Sequence, residues 1–381
     1  MRFVLLANPE NRRCSLFCQA ALAAGLPDPQ VVAWRDYLRG SAGERALARS
    51  LGPDAVLRIE SPGEDPEVER LLLQRGAAVP DPEELGERLS AAEAGALADT
   101  PGRIRAPRQW YLGFGAALAE LAATLGDRAV MNAPRAIAEL FDKRASQRRL
   151  REAGVSVPEV LEAAPRSFAQ LEAALAEVGW HRAFVKLRHG SSASGVVALA
   201  LHAGRCAATT SAELVHGPDG VELYNSLRVR RTTARAEVAA LLDALCAEGV
   251  HVERWIPKLS QGGPCDLRIV VVGGEAQHAV LRVGRTTLTN LHLGNARGDL
   301  GRLQAKLGEE GWGRVRALAE SAAAEYPDAL YLGADVALAQ GFGRRAFVLE
   351  LNAFGDLLPG VLHGDRDTYA AEVAASQARF A

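Results

Sequence analysis

Tyr331-Leu332-Gly333-Ala334-Asp335-Val336-Ala337-Leu338, followed by Ala346-Phe347-Val348-Leu349-Glu350-Leu351-Asn352, is the stretch on which the reading of this chain turns. Both segments are mostly apolar and nearly free of polar residues, the composition of buried strands. The polar residues they carry are Asp335, Glu350 and Asn352. Side chains alternate along a strand, so Glu350 and Asn352 emerge on one face, and Asp335 on a neighbouring strand can face them. Carboxylate and amide oxygens are the ligands a hard divalent cation takes. Without a cation, such donors gathered together are expected to repel. A strand pair with a few acids at its ends looks the same, and the reading gains weight only from the rest of the chain.

Upstream, Phe184-Val185-Lys186 ends a buried strand just before Gly190, Ser191, Ser192, Ala193, Ser194 and Gly195. A loop without bulky side chains lets backbone N–H groups approach a polyphosphate, and the lysine places a positive charge beside it. A plain hairpin turn is the alternative. Val250-His251-Val252-Glu253-Arg254-Trp255-Ile256-Pro257-Lys258 reads as a strand running into a proline-marked hinge. Its edge can offer one N–H and one C=O to an adenine ring, with Glu253 accepting from the ring's amino group. Asp266 and Arg268 share a face of the next strand, and Arg282 lies on the strand after that. The two arginines suggest an anion clamp, or Arg268 simply pairs with Asp266 or with a metal-bound acid.

The 381 residues are 48% hydrophobic and 24% charged, with a net charge of -2, ordinary for a soluble globular enzyme and against a nucleic-acid-binding surface. The apolar run at Phe3 to Ala7 is too short for a signal-peptide core and reads as a first buried strand, nothing spans a membrane, and a cytoplasmic location is expected. The odd, scattered set Cys14, Cys18, Cys206, Cys246 and Cys265 reads as reduced thiols, with Cys14, Cys18 and Leu22 packing on one helical face. Only four of the 44 basic residues are lysine: Lys143, Lys186, Lys258 and Lys306. A compact ammonium differs from arginine's planar fork, so a surviving lysine marks a candidate point-charge role. All but Lys306 fall inside motifs.

Residues 1 to about 131 alternate strands (3–7, 30–34, 55–58) with helices (15–24, 67–74, 112–125), which predicts a small α/β domain with a parallel sheet. Pro- and Gly-rich punctuation, Thr100-Pro101-Gly102 among it, separates the elements. No Gly-x-Gly-x-x-Gly follows the first strand, so a dinucleotide site is unsupported. From Asn132-Ala133-Pro134 the pattern changes. One helix carries Ile137, Leu140, Phe141 and later Leu150 around Asp142-Lys143, and a second covers 167–178. A hairpin spans 213–231, a helix follows over 234–248, and mixed β and α structure runs from 250 to 352. The division expected is 1–131, then 132–381 in two lobes, about 132–256 and 257–381.

In this order the pieces resemble the ATP-grasp superfamily, over roughly residues 132–365. The run is Asn132-x-Pro134 with Asp142-Lys143, Phe184-Val185-Lys186 with the Gly190–Gly195 loop, Val252 to Ile256, Asp266-Leu267-Arg268, Arg282, Thr289-Asn290-Leu291-His292-Leu293-Gly294, and Asp335 with Glu350-Leu351-Asn352. Each motif alone has many false positives, but seven in order are hard to obtain by chance. The Asn290 motif looks most like the branch of the ribosomal-protein glutamate ligases, and the whole is similar to an uncharacterised bacterial group of ATP-grasp proteins.

The resemblance implies an α/β fold in which two lobes clamp ATP behind an N-terminal α/β domain that helps hold the substrate. It implies Lys143 and Lys186 on the phosphates, and Gly190, Ser191, Ser192, Ser194 and Gly195 closing over them. Glu253, Arg254, Trp255 and Ile256 would read adenine, and Arg268, Arg282 and Asn290 would act on the reacting groups. Asp335, Glu350 and Asn352 would hold Mg2+, two ions, with Mn2+ an alternative. The activity implied is a carboxylate–amine or carboxylate–thiol ligase working through an acylphosphate on a small-molecule or peptide carboxylate. An ATP-binding module serving a partner enzyme and an ATP-grasp kinase are the competing readings. Two departures stand out: 257–263 contains no acid to hold a ribose, and the segment after Asn352 is longer and bulkier than usual.

Overall fold

The computed structural model describes residues 1–190, 194–217, 220–341, 345–354 and 358–380; Ser191 and Ser192 lie outside this set. A parallel three-stranded sheet opens the chain: β1 (Arg2–Ala7) lies between β2 (Gln30–Ala33) and β3 (Ala55–Ile59). Around it come α1 (Arg12–Ala23), α2 (Trp34–Leu38), α3 (Ser41–Ser50), α4 (Pro66–Ala77), α5 (Ala91–Gly95) and α6 (Pro107–Leu125). The alternation of short apolar strands with helices produces this layer as expected. Helices α4 and α6 meet backbone to backbone at Gly76 and Gly113. A Cβ on Gly113 would collide with the Leu72 carbonyl, and one on Gly76 with the Gln109 carbonyl.

The helix expected across Asp142 is two helices, α7 (Pro134–Leu140) and α8 (Lys143–Glu152). Asp142 interrupts it by taking extended geometry and accepting from the N–H groups of Arg144 and Ala145 at 3.0 and 3.2 Å. An N-cap carboxylate satisfies donors that a helix start leaves open, which favours the break. After α9 (Phe168–Glu177), an antiparallel five-stranded sheet follows in the order β7-β6-β5-β4-β8. Its strands are β4 (Arg182–Leu187), β5 (Val197–His202), β6 (Arg205–Gly217), β7 (Gly220–Thr232) and β8 (Val250–Arg254), with α10 (Arg235–Ala247) packed on one face.

A second antiparallel five-stranded sheet has the order β11-β10-β9-β12-β13. It comprises β9 (Cys265–Val272), β10 (Glu275–Val283), β11 (Ala296–Arg297), β12 (Tyr331–Leu338) and β13 (Ala346–Asn352), flanked by α11 (Leu300–Ala324) and α12 (Thr368–Phe380). One face, with Leu267, Ile269, Leu332, Ala334, Val336 and Val348, joins a core that also contains Val4, Leu57, Phe114 and Leu121 of the first layer. The parallel sheet and this sheet therefore share a hydrophobic core.

Residues 79–106 do more than punctuate. They run over the middle sheet, where Ile104 N–H donates to Leu223 O at 2.8 Å and Asn225 N–H to Gly102 O at 2.7 Å. All five cysteines are free; Cys14 and Cys18 pack into one core while Leu22, expected beside them, is exposed. Among the described residues no helix is long and apolar enough to cross a membrane.

Candidate functional site

The free face of the last sheet changes character along its strands. On β9, Val272 and Val270 are followed on the same side by Arg268 and Asp266; on β12, Tyr331 is followed by Gly333 and Asp335. The apolar half is covered by α1 and α12 through Phe17, Tyr369 and Val373. The charged half faces the middle sheet. Arg268, Asp335 and Glu350 sit in one row across β9, β12 and β13. A bulge in β13 brings Val348 opposite Val336 while Glu350 stays opposite Asp335. The extra residue, Leu349, lets Val348 enter the core while Glu350 and Asn352 stay on the charged face.

The acids in this row are neutralised by cations, which overturns the repulsion expected of them. Arg268 holds Asp335 in a two-pronged contact, Nε to Oδ1 at 2.5 Å and Nη2 to Oδ2 at 3.2 Å, and Arg282 Nη2 lies 3.0 Å from Oδ1. Burial pushes the Asp335 carboxyl up, but the two guanidinium groups outweigh it and hold it below the usual carboxylate range. Glu350 accepts from Lys143 Nζ at 2.7 Å. Asn352 Nδ2 donates to Gly333 O at 3.3 Å. Arg268 thus pairs with Asp335, whereas Asp266 pairs with Arg282, Nε to Oδ1 at 2.8 Å.

The middle sheet supplies the opposite wall. Ala183, Val185 and Leu187 face its own core, so alternation turns Phe184 and Lys186 into the cleft. Lys186 Nζ lies 2.6 Å from Glu253 Oε1. Burial pulls the ammonium down, yet Glu253, then Glu350 and Asp335 from the facing sheet, raise it above its ordinary value. Glu253 is pushed up by burial, but Lys186 brings it down to about 2. Beside this pair Phe184, Val196 and Ala198 form an apolar pad with Leu288 and Leu293 of the segment after β10, and Trp255 stacks near Phe184 with ring centroids 5.2 Å apart. A charged floor with an apolar pad is the form small-molecule sites commonly take.

The remaining residues of interest lie around this cleft. Lys143 opens α8 directly after the Asp142 cap, and its ammonium also donates to Gly190 O at 2.6 Å. Gly195 has φ 63°, where the loop turns back against Leu187. Ser194 is half-buried within the same turn. Arg254 N–H donates to Glu159 O at 2.8 Å and Trp255 N–H to Arg182 O at 3.4 Å, so both are already engaged; Ile256 N–H has no backbone partner among the described residues. Asn290 is half-buried and caps a short 3-10 turn, its Oδ1 accepting from His292 N–H at 3.0 Å.

Reading the sequence gave no partner to Lys258, Thr289 or His251. Lys258 Nζ bonds Asp266 Oδ2 and Thr289 Oγ1, both at 2.7 Å, and Thr289 also donates to Asp266. Asp266 thus ties Arg282 to the segment that carries Asn290. The scarcity of lysine pointed at Lys258, but its partners are Asp266 on the next strand and Thr289 in the loop after β10. His251, almost fully buried, lies 3.4 Å from Glu253 Oε2, and among the described residues neither of its ring nitrogens has a hydrogen-bond partner. Burial first, then the two lysines, hold it below its ordinary value and neutral, against the pull of Glu253. It lies directly opposite Lys186 on β8, two residues before Glu253 and on the same face.

Two antiparallel sheets facing each other across such a cleft, behind a parallel α/β layer, make this an α/β protein with the ATP-grasp fold. Solved structures agree along the whole chain. The ATP-grasp ligase PsnB, complexed with the precursor peptide PsnA2 and AMPPNP, is similar at a TM-score of 0.54 and 18% identity, over 99% of this chain and 98% of that one. The D-cycloserine synthetase DcsG is similar at 0.55 and 13%, over 100% of both chains. The macrocyclase MdnC of Microcystis aeruginosa MRC, bound with the precursor peptide MdnA, is similar at 0.52 and 10%, again over 100% of both. No protein-family model matches the chain, and no curated protein does.

Proposed function

We propose that this chain is an ATP- and Mg2+-dependent ligase that joins a carboxylate to an amine or thiol by way of an acylphosphate. The observation that carries the reading is the convergence of Lys186, Arg268 and Arg282 with Glu253, Asp335 and Glu350 on two facing sheets, joined by Lys143 from the start of α8 and beside an apolar pad. Lys143 and Lys186 are the groups for the phosphates, and Phe184, Val196, Leu288 and Leu293 the surface for a purine. Arg268 and Arg282 stand where a γ-phosphate and a carboxylate would meet, and Asn290 at the rim. Asp335, Glu350 and Asn352, oxygen donors on one face, fit a hard cation that shares its remaining ligands with phosphate oxygens. Mg2+ bound there would neutralise charge on the triphosphate.

Ligand binding in this reading is an exchange of partners. Phosphates would take over the ammonium and guanidinium groups of Lys143, Lys186, Arg268 and Arg282, leaving Asp335 and Glu350 free to hold the metal. The chain's own work is positioning and charge stabilisation in a closed cleft, and it needs no side-chain nucleophile. Solved structures of this fold with precursor peptides favour a peptide carboxylate as substrate, while the synthetase of the same fold keeps small molecules in view. Incubation with Mg·ATP and a peptide or metabolite library is the test. ADP release with a new amide or thioester bond supports the ligase; a stable phosphoester with ADP makes the chain a kinase; nucleotide binding without turnover makes it a binding module.

A further inference from the structure

Arg188 and His189, which follow β4, are held by a charged cluster contributed mostly by the region before residue 112. Arg188 Nε and Nη2 donate to the two oxygens of Asp142 at 2.8 and 2.5 Å, and Nη1 donates to Glu83 Oε2 at 2.7 Å. The other oxygen of Glu83 accepts from Arg108 Nη2 at 3.1 Å, and Arg108 also donates to Asp81 Oδ1 at 2.9 Å. Arg108 Nη1 lies 3.3 Å from His189 Nε2, and the imidazole stacks on Tyr111 with ring centroids 4.1 Å apart. His189 is held neutral, since burial pushes it down to about 4, so its Nε2 accepts from the guanidinium. The 3.7 Å from His189 Nε2 to Asp142 is too long for a hydrogen bond.

The segment carrying Asp81 and Glu83 is itself anchored. Arg166 donates to the carbonyls of Glu83 and Glu84 at 2.7 and 3.1 Å, and Gly86 N–H donates to Ala247 O at 3.0 Å. At its far end Ala106, fully buried, takes a left-handed φ of 44° directly before Pro107. That geometry is unfavourable for a residue with a Cβ that precedes proline, and it starts α6 at the point from which Arg108 and Tyr111 reach His189.

We propose that Arg188, gripped between Asp142 and Glu83, is a positioning residue through which the 79–111 segment sets the geometry of Lys143. Asp142 caps the helix that Lys143 begins, and Lys143 N–H donates to Arg188 O at 3.2 Å, so a shift of Arg188 is passed to the ammonium by two routes. The proposal rests on the nucleotide reading of the cleft. It adds that the first part of the chain controls nucleotide affinity without touching the nucleotide.

Calorimetry with Mg·AMPPNP on the full chain tests it, using wild type, Arg188→Gln, Glu83→Gln, the double variant, and Glu310→Gln on the exposed side of α11 as a charge control. Arg188→Gln should raise Kd roughly tenfold, the scale of lost charge-assisted bonds to a buried carboxylate. Glu83→Gln, whose side chain is 42% exposed, should raise it roughly two- to fivefold. The double variant should be no worse than Arg188→Gln, because Glu83 acts through Arg188; a merely structural pair has no reason to show that non-additivity in Kd. If Arg188→Gln does not fold, Glu83→Gln against Glu310→Gln decides alone. Wild-type affinity in the variants, with only Tm lowered, overturns the proposal and leaves the nucleotide reading standing. No binding by wild type overturns that reading and the proposal with it.

Discussion

Lys186 and Glu253 show how one buried pair can serve both folding and ligand capture. Glu253 drops from an ordinary 4.5 to about 2, so the pair's contribution is fully present above about pH 4.5 and is lost as pH falls through about 2. Lys186→Met removes the cation and leaves burial acting on Glu253, which then resists ionisation. Its stability deficit should therefore widen as pH rises from about 2 to 7, reaching roughly 3–5 kcal/mol, as for other broken buried pairs. Thermal melts across that range check the slope, and a deficit independent of pH would show that Glu253 does not depend on Lys186. The same variant should lose about 1.5–3 kcal/mol of nucleotide affinity.

For Glu350 the structure changes the sign that strand-end acids alone would suggest. Because Lys143 neutralises it at 2.7 Å, Glu350→Gln should leave the ligand-free protein slightly less stable, by about 1 kcal/mol or less, and no more stable. Metal-dependent ADP release should nevertheless fall by orders of magnitude. Melting temperature and turnover measured on the same preparation separate the two effects. A variant that melts lower and turns over normally would make Glu350 a structural acid.

At the scale of elements, the crossing of α4 and α6 depends on Gly76 and Gly113. Both helices were legible from their apolar spacing, but not the closeness of their contact, which carbonyls on the partner helix enforce. Gly113→Ala pits a methyl group against the Leu72 carbonyl, so the helices must separate and the core beneath must loosen. About 2–3 kcal/mol of stability should be lost in urea unfolding, with little change in nucleotide affinity. The break at Asp142 belongs to the same scale. Periodicity saw one helix there, because Ile137, Leu140 and Leu150 keep helical spacing across the interruption; the Asp142 carboxylate that caps the second helix is held by Arg188, from the turn after β4.

Across the whole molecule, the first layer and the last sheet are joined by more than apolar surface. Arg58, fully buried, donates to Glu60 Oε1 at 2.7 Å and to Glu372 Oε2 of α12 at 2.5 Å, with Phe17 and Tyr331 rings against its guanidinium. Two carboxyls share one cation in a dry core, so burial raises Glu372 to about 7, against the pull of Arg58. A raised acid contributes its stability below about pH 4.5 and loses it as pH rises through about 7. Glu372→Gln should flatten that decline and gain on the order of 2 kcal/mol at pH 8 relative to wild type. Glu248, likewise raised to about 7 by burial, leaves a residual slope of the same sign. Denaturation curves at acid and alkaline pH check the difference.

The amino-acid sequence by itself determined the order of strands and helices and the alternation that sets Glu350 and Asn352 on one face of their strand. It also carried the motif order that pointed to the ATP-grasp fold. These are local properties, written in periods of two and 3.6 residues and in single polar residues set among apolar ones. Only the tertiary structure decided that Arg268 grips Asp335 while Arg282 and Lys258 share Asp266, and that Leu349 is bulged out. It alone brought Glu83, far back in the chain, against Arg188. Each of those facts depends on which strands become neighbours and in what register, and that is settled by burying several faces at once, a condition no single segment contains.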